Sequence, residues 1–203
     1  MNSVSRLGAK HRARFLEELN YMNLEEIRGF CAARGIPYKI VAEYGDGRVK
    51  TTADADRKPV VLARVRRYLR TGHPGRPTRI PAKIVRISGP PARLRPSDRI
   101  YYRWYAKEHG GVIRMLRQLT DGRFKDGAVA RVVAMEFWTR GVAPTCREFA
   151  RAWTNAHGRV LVTPEYAYLT DLQRHGADRD WKALRTAKAK SALKTLAKIA
   201  PVR

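Results

Sequence analysis

The chain has 203 residues, 44% of them apolar, and sets 42 Lys or Arg against 18 Asp or Glu for a formal net charge of +24. That apolar share supports one or two packed domains and excludes disorder throughout, while the lack of any apolar run of spanning length argues against a membrane protein. Between Arg57 and Arg103 stand fourteen cations against one acid, Asp98, and a domain so charged repels itself unless it meets a polyanion, of which nucleic acid is the default because bound cations release counterions from phosphates.

The first helix is predicted from about Lys10 to Leu19, with Phe15, Leu16 and Leu19 inward and Lys10, Arg12 and Arg14 outward. Asn23-Leu-Glu-Glu26 has the spacing of a capping box, which satisfies the orphan N–H groups of a helix start. Leu24, Ile27 and Cys31 continue the helical period. Gly35 then suits a left-handed stop, with Ile36 folding back and Pro37 preventing continuation. Residues 38–53 do not read as helix; Lys39 to Tyr44 and Arg48 to Thr52 flank Gly45-Asp46-Gly47, as in a hairpin or an exposed loop. Asp56 is expected to cap a helix with Pro59 in its first turn. Val61, Leu62, Val65, Tyr68 and Leu69 form its apolar face and Arg64, Arg66, Arg67 and Arg70 the other, with Gly72 at its end.

From Thr71 to Pro96 lie six of the eleven prolines, and only Ile80 to Ile87 alternates as a strand does. This stretch reads as an extended, semi-rigid basic linker. Asp98 is expected to cap a helix carrying Tyr101, Tyr102, Trp104 and Tyr105, broken at Gly110-Gly111 and resumed from Val112 to Leu119. Ala128 to Arg140 is the next predicted helix, with Val129, Val132, Val133 and Phe137 inward. Thr145-Cys-Arg-Glu148 repeats the capping-box spacing ahead of Phe149 and Trp153. Thr163-Pro164-Glu165 opens a helix to Gln173, and Asp178 or Asp180 opens a last one bearing Lys182, Arg185, Lys188, Lys190, Lys194 and Lys198. The expected fold is thus mainly α. Two small helical units, 1–72 and 98–203, are joined by a basic Pro-rich linker, 73–97, with a short β-hairpin within the first unit.

Leu24-Glu-Glu-Ile27, Cys31-Ala-Ala-Arg34-Gly35-Ile36-Pro37 and Val61-Leu62-Ala-Arg64-Val65-Arg66-Arg67-Tyr68-Leu69 together resemble a SAP-type DNA-binding module: a leucine-rich helix, a Gly-aliphatic turn, and a basic helix ending in Tyr-Leu. Residues 38–56 make the connection much longer than is usual there. The resemblance covers about a quarter of the chain and implies contacts to DNA from Arg34, Lys58, Arg64, Arg66, Arg67 and Arg70. Leu119 through Trp153 resembles the short helical domain that follows a SAP module in some small bacterial proteins. Gly75-Arg76-Pro77 is similar to the core of an AT-hook. An extended arginine segment fits a narrow minor groove, which adds Arg76, Arg79, Lys83 and Arg86 as candidates. Thr139 through Ala150 resembles the first turn of bacterial winged-helix repressors. The next helix follows only after His157-Gly-Arg-Val-Leu-Val-Thr-Pro and has few basic residues, so a structural helical hairpin is expected rather than base readout.

Aromatics interleaved with arginine can stack on unpaired bases, making Tyr102 and Trp104 candidates against the commoner reading of a core cluster. Cys31 and Cys146 sit far apart in apolar patterns and read as reduced, buried thiols. Met1 to Arg14 has no apolar stretch of a signal peptide, so the cytoplasm, or the nucleoid of a bacterium, is the expected location. Scattered histidines and the absence of Cys-x-x-Cys or His-Glu-x-x-His spacing predict no metal and no cofactor. The chain is read as a non-enzyme. Duplex DNA is the expected partner, bound chiefly through phosphates with low sequence specificity. An RNA or ribonucleoprotein partner, or a role as subunit of a nucleic-acid-processing enzyme, is the alternative.

Overall fold

A computed structural model describes residues 3–86, 88–105, 109–160 and 179–200. They are mainly α-helical: α1 Ala9–Glu18, α2 Leu24–Ala32, α3 Lys58–Thr71, α4 Gly110–Gln118, α5 Ala128–Thr139, α6 Cys146–Val160 and α7 Arg179–Ile199. A small sheet has the order β2-β1-β3, from β1 Lys39–Glu43, β2 Val49–Ala55 and β3 Arg79–Ile80. Two compact units result, and neither is continuous in sequence. Unit 1 comprises Met1–Ile40, Thr52–Thr78 and Ala177–Arg203; unit 2 comprises Val41–Thr51 and Arg79–Gly176. The serial division 1–72, 73–97, 98–203 differs from this arrangement, because the last helix joins the first unit and part of the proline-rich stretch packs in the second.

Unit 1 follows the local signals closely. Asn23 and Glu26 form both bonds of the capping box, Glu26 N–H to Asn23 Oδ1 at 2.7 Å and Asn23 N–H to Glu26 Oε2 at 2.6 Å. Gly35 stops the turn after α2 at φ +63°, where a side chain would strain the backbone. The Ile36 N–H then returns to the Cys31 carbonyl at 2.9 Å, and its side chain is buried. The β1–β2 hairpin turns at residues 44–48, as the Gly-Asp-Gly run predicts. Arg57, not Asp56, occupies the N-cap position of α3. The core brings Phe15, Leu19 and Met22 against Ile27 and Phe30 of α2 and Leu62, Val65 and Leu69 of α3. Ala189, Ala192, Leu196 and Ile199 of α7 belong to the same core.

Ion pairs reinforce the docking of α7. Arg185 grips both oxygens of Glu26 at 2.9 and 3.1 Å, and Lys188 donates to Glu17 at 2.8 Å. Burial alone would raise the Glu18 carboxyl, yet the Ser191 hydroxyl and the Arg14 guanidinium, bonded at 2.8 Å, hold it below its usual value. The last helix is therefore partly neutralised against α1 and α2, leaving Lys190, Lys194 and Lys198 exposed.

Unit 2 departs further from expectation. Arg79 and Ile80 pair in parallel with Val41 and Ala42 of β1, and Ile80 and Ile84 are buried. Each buried isoleucine contributes roughly 1.5–3 kcal/mol, enough to order a stretch whose prolines alone suggest a spacer. No helix forms over residues 98–105. Its N–H groups go to distant carbonyls instead: Ile100 to Pro144 at 2.7 Å and Tyr102 to Ile84 at 3.0 Å. The Asp98 carboxylate accepts from the Arg95 N–H rather than capping a helix. An aromatic core gathers Tyr105, Phe124, Phe149 and Trp153. In α5 the deeply buried residues are Ala130, Val133, Ala134 and Trp138; Val129, Val132 and Phe137 are only half-buried. The face is rotated because two alanines permit close packing and the Trp138 indole N–H needs the Ile100 carbonyl, 3.1 Å away. The second capping box also forms, Glu148 N–H to Thr145 Oγ1 at 3.1 Å and Thr145 N–H to Glu148 Oε2 at 2.8 Å. The helix foreseen from Pro164 to Gln173 lies outside the described residues.

Both cysteines are free and buried, and burial pushes each thiol up to about 11. The thiolate is the reacting species, so neither should react with a soluble disulfide reagent at neutral pH until the chain unfolds. A thiol titrating rapidly in the native protein would contradict this packing.

Candidate nucleic-acid interface

The arginines of α3 fall into two groups, separated by the acceptors that engage them. Arg64 points inward. Its guanidinium donates to the Asp56 carboxylate at 2.5 Å, to the Pro37 carbonyl at 2.9 Å and to the Thr78 hydroxyl at 2.6 Å. Thr78 in turn donates to the other oxygen of Asp56 at 2.8 Å. The side chains of Arg64 and Asp56 are 13% and 4% exposed, so this pair is internal and unavailable to a polyanion. Arg66, Arg67 and Arg70 lie on the outer side; Arg67 and Arg70 are exposed, and Arg66 is half-buried.

Two further expected contacts are also structural. Arg34 donates through Nε to the Ala200 carbonyl at 2.9 Å, and its second terminal nitrogen reaches the same oxygen. That oxygen follows the last turn of α7, where carbonyls lack helical partners. The guanidinium also sits 4.0 Å from the centre of the Phe30 ring. Lys58 donates to the Asn20 carbonyl; burial and then the nearby Arg185 hold its ammonium below the usual value. Arg64 is thus an internal fastening, and Arg34 and Lys58, both half-buried, are engaged by oxygens of their own unit. Their oxygen partners come from other segments of the chain, which a composition-based reading of the helix does not register.

Arg66 differs in the nature of its partners. One terminal nitrogen donates to Asn20 Oδ1 at 2.8 Å and lies 3.5 Å from the Leu16 carbonyl. Both oxygens are neutral, so the guanidinium is oriented while its positive charge remains. Beside it, between α1 and α3, opens a groove of about 400 Å³ lined by Val4, Arg12, Leu16, Ala63, Arg66 and Arg70. Arg12 and Leu16 are one helical turn apart on α1, and Ala63, Arg66 and Arg70 form a row on α3. The glutamates of α1 serve elsewhere: Glu17 bonds Lys188 and Glu18 bonds Arg14. No ion pair involves Arg12, Arg66 or Arg70 among the described residues. Arg12 was not foreseen as a contact; its spacing from Leu16 was the available signal. Unit 1 as a whole carries 22 Lys or Arg against 8 Asp or Glu.

The remaining candidates divide between the two units. Arg76 is exposed and belongs to unit 1, whereas Arg79, Lys83 and Arg86 belong to unit 2. Arg79 is paired with Glu43 at 2.9 Å. Lys83 is exposed, and its stem lies beside Gly141. Arg86 stacks 4.4 Å from the centre of the Tyr101 ring. Tyr102 is 3% exposed and packs edge-on against Trp138 with ring centres 5.3 Å apart. It is a core residue, which removes it as a base-stacking candidate. Trp104 is half-buried, with its indole N–H on the Ser88 carbonyl at 2.9 Å and its ring against Tyr101.

Among the described residues no cluster of His, Cys, Asp and Glu could hold a metal ion, and no helix is long and apolar enough to cross a membrane. No family profile, curated protein or solved structure matches the chain.

Removing Arg64 would leave the Asp56 carboxylate buried without its cation, a change that costs about 3 kcal/mol or more. Urea melts of Arg64→Ala should show a loss of that order, well above the few tenths expected of Arg67→Ala at the surface. Equal stabilities of the two variants would contradict the internal role of Arg64.

Proposed function

We propose that the protein binds nucleic acid, with duplex DNA as its polyanion, through phosphate contacts from the outer face of α3 and the adjoining side of α1, and with little sequence specificity. The observation that carries this reading is the set of outward cations that have no carboxylate partner among the described residues: Arg12, Arg66, Arg67 and Arg70. A surface evolved only for solubility intersperses the two signs; this one holds a guanidinium in place on neutral oxygens. Clustered arginines suit phosphates because their planar forks donate in pairs. The resemblance of α2, its Gly35 turn and α3 to a SAP-type module supports DNA over other polyanions. Of the contacts that the resemblance implies, this reading keeps Arg66, Arg67 and Arg70. Arg76, a few residues beyond Gly72, extends the reach of the same unit, and the exposed Lys190, Lys194 and Lys198 add to its positive field.

Binding of a labelled duplex should weaken steeply with salt, and changing Arg66, Arg67 and Arg70 together to Ala should reduce the slope of log K against log salt by about 2.7, at roughly 0.9 per phosphate contact. A slope unchanged in a folded triple variant would refute the assignment. Asn20→Ala separates orientation from charge. It leaves the slope intact but lowers affinity about threefold to fivefold, since a released arginine must be ordered again on binding. A change of slope in Asn20→Ala would mean that the tether does more than orient Arg66.

A further inference from the structure

We propose that the groove between α1 and α3 is a nucleotide site, which takes one unpaired nucleotide of a bound strand, with its phosphate among Arg12, Arg66 and Arg70 and its sugar or base on the floor of Val4, Leu16 and Ala63. This rests on the nucleic-acid reading above and goes beyond it, from a general attraction to phosphates to a preference for DNA that offers an unpaired residue.

The groove combines two features that a ridge of phosphates does not use together. Continuous B-form duplex presents its charges on a convex rod and keeps its bases stacked inside. Against such a rod the arginine rim makes contacts, but the apolar floor remains in water. An unpaired nucleotide brings an anion and a flat apolar body at a fixed covalent separation, matching the rim and the floor at once. The volume of about 400 Å³ lies at the lower end of the range typical of small-molecule sites, roughly 300–1,000 Å³.

The arginines fit both halves of such a ligand. A guanidinium can donate two parallel bonds to a phosphate or lay its face on a base. Arg66 is already positioned, because both of its bonds use the same terminal nitrogen, to Asn20 and toward Leu16, leaving its other nitrogens for a ligand. Arg12 and Arg70 are exposed and can close over the phosphate from either helix. Ala63 is what keeps the floor open. It is exposed on α3, and any larger side chain there would fill the groove without altering a charge.

The test compares the full chain's affinity for a blunt duplex and for the same duplex carrying one extra unpaired nucleotide, in wild type and in Ala63→Phe. The expected result is about tenfold tighter binding of the bulged duplex by wild type, the order of gain from covering a small apolar floor. In Ala63→Phe the ratio of bulged-duplex to blunt-duplex affinity falls to about one. Ala63→Leu, a milder filling, should give an intermediate preference and guards against a phenylalanine variant that fails to fold. Equal wild-type affinity for the two duplexes overturns the proposal, as does a preference that survives in a folded Ala63→Phe. An acidic, leucine-rich peptide that displaces the bulged duplex from wild type but not from Ala63→Phe would assign the groove to a protein partner and also overturn it. Absence of salt-dependent binding to either duplex is a different failure, since it removes the nucleic-acid reading itself.

Discussion

The contact on which unit 1 depends is the buried pair of Asp56 and Arg64, closed by Thr78 and the Pro37 carbonyl. It ties together three segments: the turn after α2, the second turn of α3, and the end of the stretch that leaves α3. The hairpin of β1 and β2 stands between the first two, so sequence proximity cannot hold α2 and α3 in register. The Asp56 N–H, bonded to the Tyr38 carbonyl at 2.9 Å, marks where the chain re-enters the unit after that hairpin. A buried pair of this kind adds little net stability over an apolar replacement. Breaking one side of it, however, is severe, because the other charge is stranded. Its consequence is chemical: Arg64 is engaged inside the unit, while on the same helix Arg67 and Arg70 stay exposed and Arg66 half-buried.

A chain with more than twice as many cations as carboxylates must still satisfy the cations that folding buries. Unit 1 does so with two kinds of acceptor. Carboxylates meet Arg64, Arg185 and Lys188 where segments join, removing local repulsion from the docking of α7 and α3, and Glu18 meets Arg14 within α1. Neutral oxygens meet Arg34, Lys58 and Arg66: the Ala200 carbonyl, the Asn20 carbonyl and the Asn20 side chain. A neutral partner fixes direction and leaves the field of the cation in place. For Arg34 that field acts on a helix C-terminus, whose dipole favours positive charge. For Arg66 it acts on a groove, where an external anion can respond to it.

The parts of the fold that were legible in sequence are those whose cause is local. Both capping boxes, the left-handed Gly35 and the Gly45-Asp46-Gly47 turn depend on residues within a few positions of one another, and all appear as read. The segment 98–105 failed because its aromatic periodicity resembles a helix, while its N–H groups found carbonyls at Ile84 and Pro144. The proline-rich stretch misled in the opposite sense, since its composition outweighed the strand-like alternation from Ile80, where β3 pairs with β1. At the site, charge density pointed to α3. It could not sort the arginines by face, because the acceptors that claim Arg34 and Arg64 lie on other segments, 166 residues away in the case of Arg34. Arg12 escaped notice for the complementary reason: its helix carries two glutamates, and only their commitment to Lys188 and Arg14 leaves it uncompensated.

Helix α1 and the turn that follows it therefore present different chemistry on different sides. Glu17 and Tyr21 meet Lys188 of α7, Phe15 and Leu19 enter the core, and Arg12 and Leu16 border the groove toward α3. An apolar depression at a helix junction ordinarily closes by sliding the helices together, which buries its floor. Here closure would press Arg12, Arg66 and Arg70 toward one another with no carboxylate to offset them, and like charges in a partly desolvated cleft repel strongly. With alanine at position 63, no large side chain from α3 fills the space. The groove stays open because the protein's own residues cannot close it favourably. An anion relieves that repulsion as it binds, and an apolar group carried with it covers the floor that the repulsion leaves exposed.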